Sequence, residues 1–218
     1  MNYSEALDWL YSTQFFGIKL GLEGPRRLLR EYLAFPPRNT KVIHVAGTNG
    51  KGSTCAFIDS VARATGTRTG LFTSPHLIDY PERIRVSGME IERDEIALHL
   101  SSLREMVAQW DPHPTFFEIS LALAMKYFSE RQCELVILET GMGGRLDATS
   151  AIPADIAVLT PIGMDHQEWL GETLTDIATE KAAIIVPGKN VISSTQLPEA
   201  DAIIRQIANE RRAPLTFV

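Results

Sequence analysis

Five short apolar runs separated by stretches of helical pattern constrain the fold of this 218-residue chain more than any other feature. The runs are KVIHVA (41–46), RTGLFT (68–73), CELVILE (133–139), DIAVLT (155–160) and NVISS (190–194). Each is nearly continuous in apolar residues instead of alternating, which suits a strand covered on both faces. Between most of them the apolar spacing is helical, over 51–66, 94–110, 116–130, 173–185 and 197–212. Strands alternating with helices predict an α/β fold, with a mostly parallel sheet flanked by helices and built from right-handed crossovers. Two helices are expected ahead of the first strand: Tyr3 to Ser12, and RRLLREYL, opened by Pro25 and stopped before Pro36-Pro37. The closing residues, APLTFV, read as the start of another strand.

Composition narrows the function classes. The chain is 44% hydrophobic and 22% charged, as an ordinary globular protein is. Its net charge is −6 and no long Lys/Arg block occurs, which argues against binding nucleic-acid backbones. An acidic protein can still bind ATP, because loop amides do that work locally. Cys55 and Cys133 stand in no metal or redox spacing and read as buried thiols. The amino terminus lacks a basic region followed by an apolar core, and no apolar stretch is long enough to span a membrane. A cytoplasmic protein is expected.

In open parallel sheets ligands bind at the carboxyl ends of the strands, and five stations fall there. The first is VIHVAGTNGKGS, where glycines, a helix start and Lys51 favour phosphate binding over a plain turn. Its spacing is not that of the usual P-loop, and Gly52 stands where a metal-binding hydroxyl would follow the lysine. The second is TSPH (73–76), which taken alone reads as a turn. Third is Glu139, a strand-end acid able to reach Mg²⁺. Fourth is Asp165-His166, where a lone histidine is more often structural than a ligand. Fifth is Lys181 in ATEKAAII; most helix lysines are solvated, but one entering an apolar run has its pKa lowered by burial.

Taken together, GTNGKGS, TSPHL, ERIRV, FFE, ETGMGGRLDAT, GMDHQEWLG and EKAAII resemble, in order, the folylpolyglutamate synthases of the Mur ligase superfamily. That family includes the bifunctional dihydrofolate synthases, and FGIKLGLE (16–23) fits it too. The resemblance covers essentially the whole chain and implies a P-loop-type fold like the Mur ligase central domain. It also implies an ATP-dependent ligase that adds L-glutamate to dihydropteroate or to folyl(poly)glutamate through an acyl phosphate. By the same resemblance Asn49, Gly50, Lys51, Gly52 and Ser53 cradle the ATP phosphates. Ser74 supplies the metal ligand missing at position 52, Glu139 joins it on Mg²⁺, and His166 serves a second Mg²⁺. Lys181 resembles the family's carbamylated lysine, and with His166 and Lys51 it makes up the implied catalytic set. Thr115, Phe116, Phe117 and Glu118, with Leu146, Asp147 and Ala148, match the segments that contact the pterin. Arg83 falls in a flexible loop between the two sites.

The implied cofactors are ATP and Mg²⁺, with K⁺ or another monovalent cation as a further candidate. The implied partners are small molecules only, with no nucleic acid or membrane, and the full-length enzyme is expected to be a monomer. Two departures stand out. Ala183 replaces a glycine usual after EKA, and family members run on through the rest of the ATPase domain and a second, glutamate-binding domain. Residues 1–218 are therefore expected to be an amino-terminal part of the ATP-binding domain, truncated and inactive alone. The competing readings are a non-catalytic nucleotide- or pterin-binding fragment and a Mur-type ligase for another acid.

Overall fold

The computed structural model describes every residue of the chain except Ile18 and Leu20, so those two positions of FGIKLGLE lie outside the described residues. Eight strands form one sheet: β1 (Lys41–Ala46), β2 (Thr69–Phe72), β3 (Ile84–Val86), β4 (Met89–Glu90), β5 (Leu135–Glu139), β6 (Ile156–Leu159), β7 (Asn190–Ser193) and β8 (Leu215–Phe217). Their order is β4-β3-β2-β5-β1-β6-β7-β8. The pairs β2–β5, β5–β1, β1–β6, β6–β7 and β7–β8 are parallel. All five anticipated strands form, and APLTFV supplies β8.

The helices are α1 (Tyr3–Ser12), α2 (Glu23–Glu31), α3 (Lys51–Ala64), α4 (Arg93–Val107), α5 (Phe116–Glu130), α6 (Gln167–Leu170), α7 (Leu174–Ala182) and α8 (Pro198–Glu210). One face of the sheet carries α5, with α1, α2 and α4 outside it, in a core that includes Val42, Phe72, Leu138, Ile119 and Leu123. On the same side α7 and α8 cover β6 and β7 through Ile177, Ile185 and Ile204. The other face has α3, which seals Ile43, Val45, Leu71 and Ile137 with Cys55.

Three expectations are corrected. The 84–90 segment forms β3 and β4, an antiparallel extension of the sheet edge that short runs with charged neighbours did not signal. The strand NVISS is not covered on both faces: in β7, Val191 and Ser193 are buried while Asn190 and Ile192 are exposed. Covering helices lie on only one side there. Finally, α7 ends at Ala182, three residues before the end of the helix expected over 173–185, and Ile184 and Ile185 are buried beyond its end.

Candidate nucleotide and acid-substrate site

β1 lies where the chain reverses its direction of winding, with β5 on one side and β6 on the other, and such a point opens a crevice at the carboxyl ends of the strands. The glycine loop leaves β1 there. Gly47 packs so closely on β6 that a Cβ would stand 1.9 Å from Thr160 Oγ1, which leaves no side chain but hydrogen at this position. Thr48 N and Asn49 N donate to Pro161 O, fixing the loop across the crevice. Gly50, at φ +80°, is the N-cap of α3, and no side chain caps that helix. The first turn therefore offers uncapped N–H groups towards an anion, with the Gly52 N–H turned to Glu139. Lys51 Nζ donates to Thr48 O at 3.1 Å, and Asn49 and Ser53 are exposed.

The Glu139 carboxylate ends β5 beneath this loop, with 5% of the residue exposed. Oε2 accepts from Ser74 N at 2.8 Å, and a Cβ on Gly52 would lie 3.5 Å from both carboxylate oxygens. Burial raises its pKa, opposed by the Ser74 N–H and by Lys51. The loop that follows β2 and the strand-end acid therefore meet where the sequence lacks a hydroxyl. Arg83 sits beside them. It closes a 3₁₀ turn (Tyr80–Arg83) capped reciprocally by Asp79 and Glu82, which is the local structure of the loop expected between the two sites.

Lys181 is 2% exposed, and its Nζ donates to Gly47 O at 2.9 Å. Burial, with Lys51 adding to it, brings the amine down to about 8. His166, at φ +48°, is half exposed and pairs with Asp165 at 3.6 Å. Among the described residues no three His, Cys, Asp or Glu side chains converge as a metal cage. Ser74 and Glu139 are brought together, whereas His166 joins no such group.

Next to Glu139's loop lies a cavity of about 370 Å³. All seven residues matched to the pterin segments line it: Thr115, Phe116, Phe117, Glu118, Leu146, Asp147 and Ala148. Local structure explains how. Thr115 and Glu118 form the capping box that starts α5, the Glu118 carboxylate accepting from Thr115 N at 2.6 Å. Their first duty is to the helix, which holds Phe116 and Phe117 at the wall. Asp147 is fully committed: Oδ2 accepts from Gly141 N and Met142 N at 2.9 Å each, and Oδ1 from Thr149 N and Oγ1 at 2.9 and 2.5 Å. These bonds shape the loop that carries Leu146 and Ala148 to the cavity, and Asp147 itself remains part of the lining. The sequence reading missed Gln14, Gly17, Lys19, Gly141 and Met142, which also line the cavity. Lys19 and Gly17 sit within FGIKLGLE, and Met142 within ETGMGGRLDAT, so those motifs held the signal; nothing in the sequence marked Gln14.

Residues 45–216 match the Mur ligase middle domain. The chain is 41% identical over 217 residues to a dihydrofolate synthase/folylpolyglutamate synthase of Bacillus subtilis, covering 97% of this chain and 50% of that protein. It is 42% identical over 210 residues to the Escherichia coli enzyme of the same description, covering 96% and 48%. Among solved structures, an FPGS–AMPPCP complex superposes with a TM-score of 0.92 at 32% identity, covering all of this chain and 54% of that one. An E. coli FolC complex with DHPP and ADP superposes at 0.87 and 37% identity, covering 97% and 51%. The chain thus spans about half the length of the relatives it matches.

Proposed function

This chain belongs to the Mur ligase family, on its folylpolyglutamate synthase/dihydrofolate synthase branch, and from that premise we propose that it carries the nucleotide- and acid-binding half of an ATP-dependent ligase. The acid is a pterin-bearing carboxylic acid, dihydropteroate or a folyl(poly)glutamate, and the amine is L-glutamate. In this reading residues 1–218 are the amino-terminal part of the ATP-binding domain. The observation that carries the reading is the meeting of the glycine loop, Ser74 and Glu139 beside a cavity walled by both pterin-type segments.

The chemistry asked of these residues is positioning and charge neutralisation, the main contributions to phosphoryl transfer. The uncapped first turn of α3, with its amides from Gly50 to Ser53 and the Asn49 side chain beside them, holds the phosphate chain, and Lys51 adds a point charge. Phe116 and Phe117 hold the flat ring of the acid, and the α5 cap fixes their direction. The carboxylate is thereby presented to the γ-phosphate for conversion to an acyl phosphate, which the glutamate amine then attacks. A divalent cation fits the residues present: Glu139 is a buried carboxylate with no Lys or Arg within ion-pair distance among the described residues, and Ser74, whose backbone N–H meets it, is a residue that carries a hard oxygen donor. When bound there, Mg²⁺ would neutralise charge on the phosphates. In this reading Lys181 is the residue carbamylated, a role supported by burial that brings its amine down to about 8, so that it is partly neutral near pH 7 and can add CO₂. The resulting anion, with His166, would be the partner for a second cation.

The test is calorimetric titration of the chain with Mg·ATP and with pteroic acid. Binding of both is expected, with Lys51→Ala and Ser74→Ala each weakening Mg·ATP on the order of tenfold, about 1.4 kcal/mol. Thr54→Ala, one residue beyond the loop, should change little. Equal losses for Ser74→Ala and Thr54→Ala would remove Ser74 from the metal site. Failure of the chain to bind pteroic acid would remove the acid-substrate assignment.

A further inference from the structure

Arg83 is a buried cation with no carboxylate in ion-pair contact among the described residues, the Glu139 charge acting on it only from farther off. The residue is 7% exposed, and none of the ion pairs among the described residues includes it. Its Nε donates to Nδ1 of His76 at 2.7 Å, a neutral partner. Neither Nη atom has a protein acceptor among the described residues, and neither is sealed away from solvent. Its four Nη N–H donors are open to solvent and unused by the protein, so they can take an anionic ligand without breaking a protein contact.

The two nearest acids in sequence do not take up these donors. Glu82 is spent on the backbone N–H groups of Leu77, Ile78 and Asp79. Asp79 accepts from Tyr3 Oη, Tyr80 N and Arg93. The turn is also held firmly. Thr73 N donates to Arg83 O at 3.0 Å, and Tyr80 Oη donates to Ser120 on α5 at 3.0 Å. Arg83 is thus anchored at the end of β2, next to Ser74, with its guanidinium carbon 5.1 Å from the Phe116 ring centre. Phe116 in turn forms one wall of the cavity. The fork therefore sits between the Ser74–Glu139 contact and the cavity, where an acid lying along Phe116 would bring its carboxyl end.

We propose that Arg83, pinned by His76, is the receptor for the acid substrate's carboxylate, gripping it through its free Nη donors and aligning it for phosphorylation. This rests on reading the cavity as a pterin-acid site. A planar fork matches a carboxylate in a bidentate way that lysine cannot, which makes the assignment specific to arginine. The anion that meets the fork directly arrives with the substrate.

The test compares pteroic acid with its neutral carboxamide on the whole chain, in wild type, Arg83→Met, Arg83→Lys and His76→Ala. The readout is the ratio of the two dissociation constants. Wild type should prefer the acid by tenfold or more. Arg83→Met should abolish the preference and leave carboxamide affinity unchanged, Arg83→Lys should retain part of it, and His76→Ala should reduce it severalfold. If Arg83→Met does not fold, the lysine and His76 variants still decide, since each keeps a positive charge at position 83. The proposal is overturned if the ratio is unchanged in these variants, if both ligands weaken equally, or if Mg·ATP affinity falls while the ratio holds. A wild type that binds both ligands without preference overturns the Arg83 assignment alone. A wild type that binds neither overturns the pterin-acid reading, and Arg83 with it.

Discussion

His44 is an imidazole in the middle of the sheet, 1% exposed, with Nε2 unpartnered. Burial brings its pKa down to about 4, and a hydrogen bond with the Thr149 backbone only partly opposes this. The unfolded chain holds this group near 6.5, so between the two values the unfolded state binds more protons. The stability it contributes is full above pH 6.5 and is lost as pH falls towards 4, by about 3 kcal/mol at most. Urea titrations across that window should therefore show a steep fall in wild type and a shallower one in His44→Leu, whatever the variant's absolute stability. Equal slopes would show that His44 is not the group titrating. The same residue-scale logic separates Lys181 from the surface lysines: among the described residues its Nζ donates only to the Gly47 carbonyl, and burial lowers its pKa to about 8. The sequence hinted at this through the apolar run EKAAII. The partner carbonyl, 134 positions away, was not legible.

At the scale of elements, the site depends on how the GGRLDAT loop docks on α7. Arg145 N donates to Glu180 O, and the Arg145 guanidinium pairs with Glu180 at 2.7 Å. Between them, Gly144 approaches so closely that a Cβ would meet Glu180 O at 2.7 Å and Lys181 O at 2.9 Å. These are backbone atoms that cannot rotate away, so Gly144→Ala must push the loop off the helix. A loss of roughly 1–3 kcal/mol is expected, measured by chemical denaturation, together with weaker pteroic acid binding because Leu146 to Ala148 move with the loop. Arg145→Ala removes only a half-exposed ion pair and should cost ~1 kcal/mol or less. If the two substitutions cost the same, the close approach is not what holds the loop. The last glycine of GMGG is thus explained by contact, a reason the motif alone does not disclose.

For the whole molecule, nucleotide loop and cavity lie at one end of a single sheet but rest on different helices, α3 on one face and α5 on the other. Ligands that bind only the folded chain raise its stability by mass action, by about 2.7 kcal/mol at a hundredfold excess over Kd. Mg·ATP and pteroic acid should each raise the thermal midpoint. With both present the shifts should at least add, because the two ligands occupy neighbouring and not overlapping ground. A shift with both ligands no larger than with one would mean that they compete for the same space.

The parallel sheet was legible in the sequence because strands buried on both faces must be almost wholly apolar, and the run–helix alternation leaves few ways to connect them. The glycine loop was legible for a similar local reason: backbone that must approach an anion, or a neighbouring strand as Gly47 approaches Thr160, excludes side chains. Motif resemblance placed the seven cavity residues, though not their duties. That Thr115 and Glu118 cap a helix and that Asp147 is spent on its own loop follow from hydrogen bonds visible only once the chain is folded. The antiparallel edge of β3 and β4, the open face of β7 and the unpaired charge of Arg83 were also decided by tertiary structure alone. Each depends on which distant segments fail to cover or to pair with a residue. A sequence records what a residue is, whereas burial and the absence of an ion-pair partner are properties of everything packed around it.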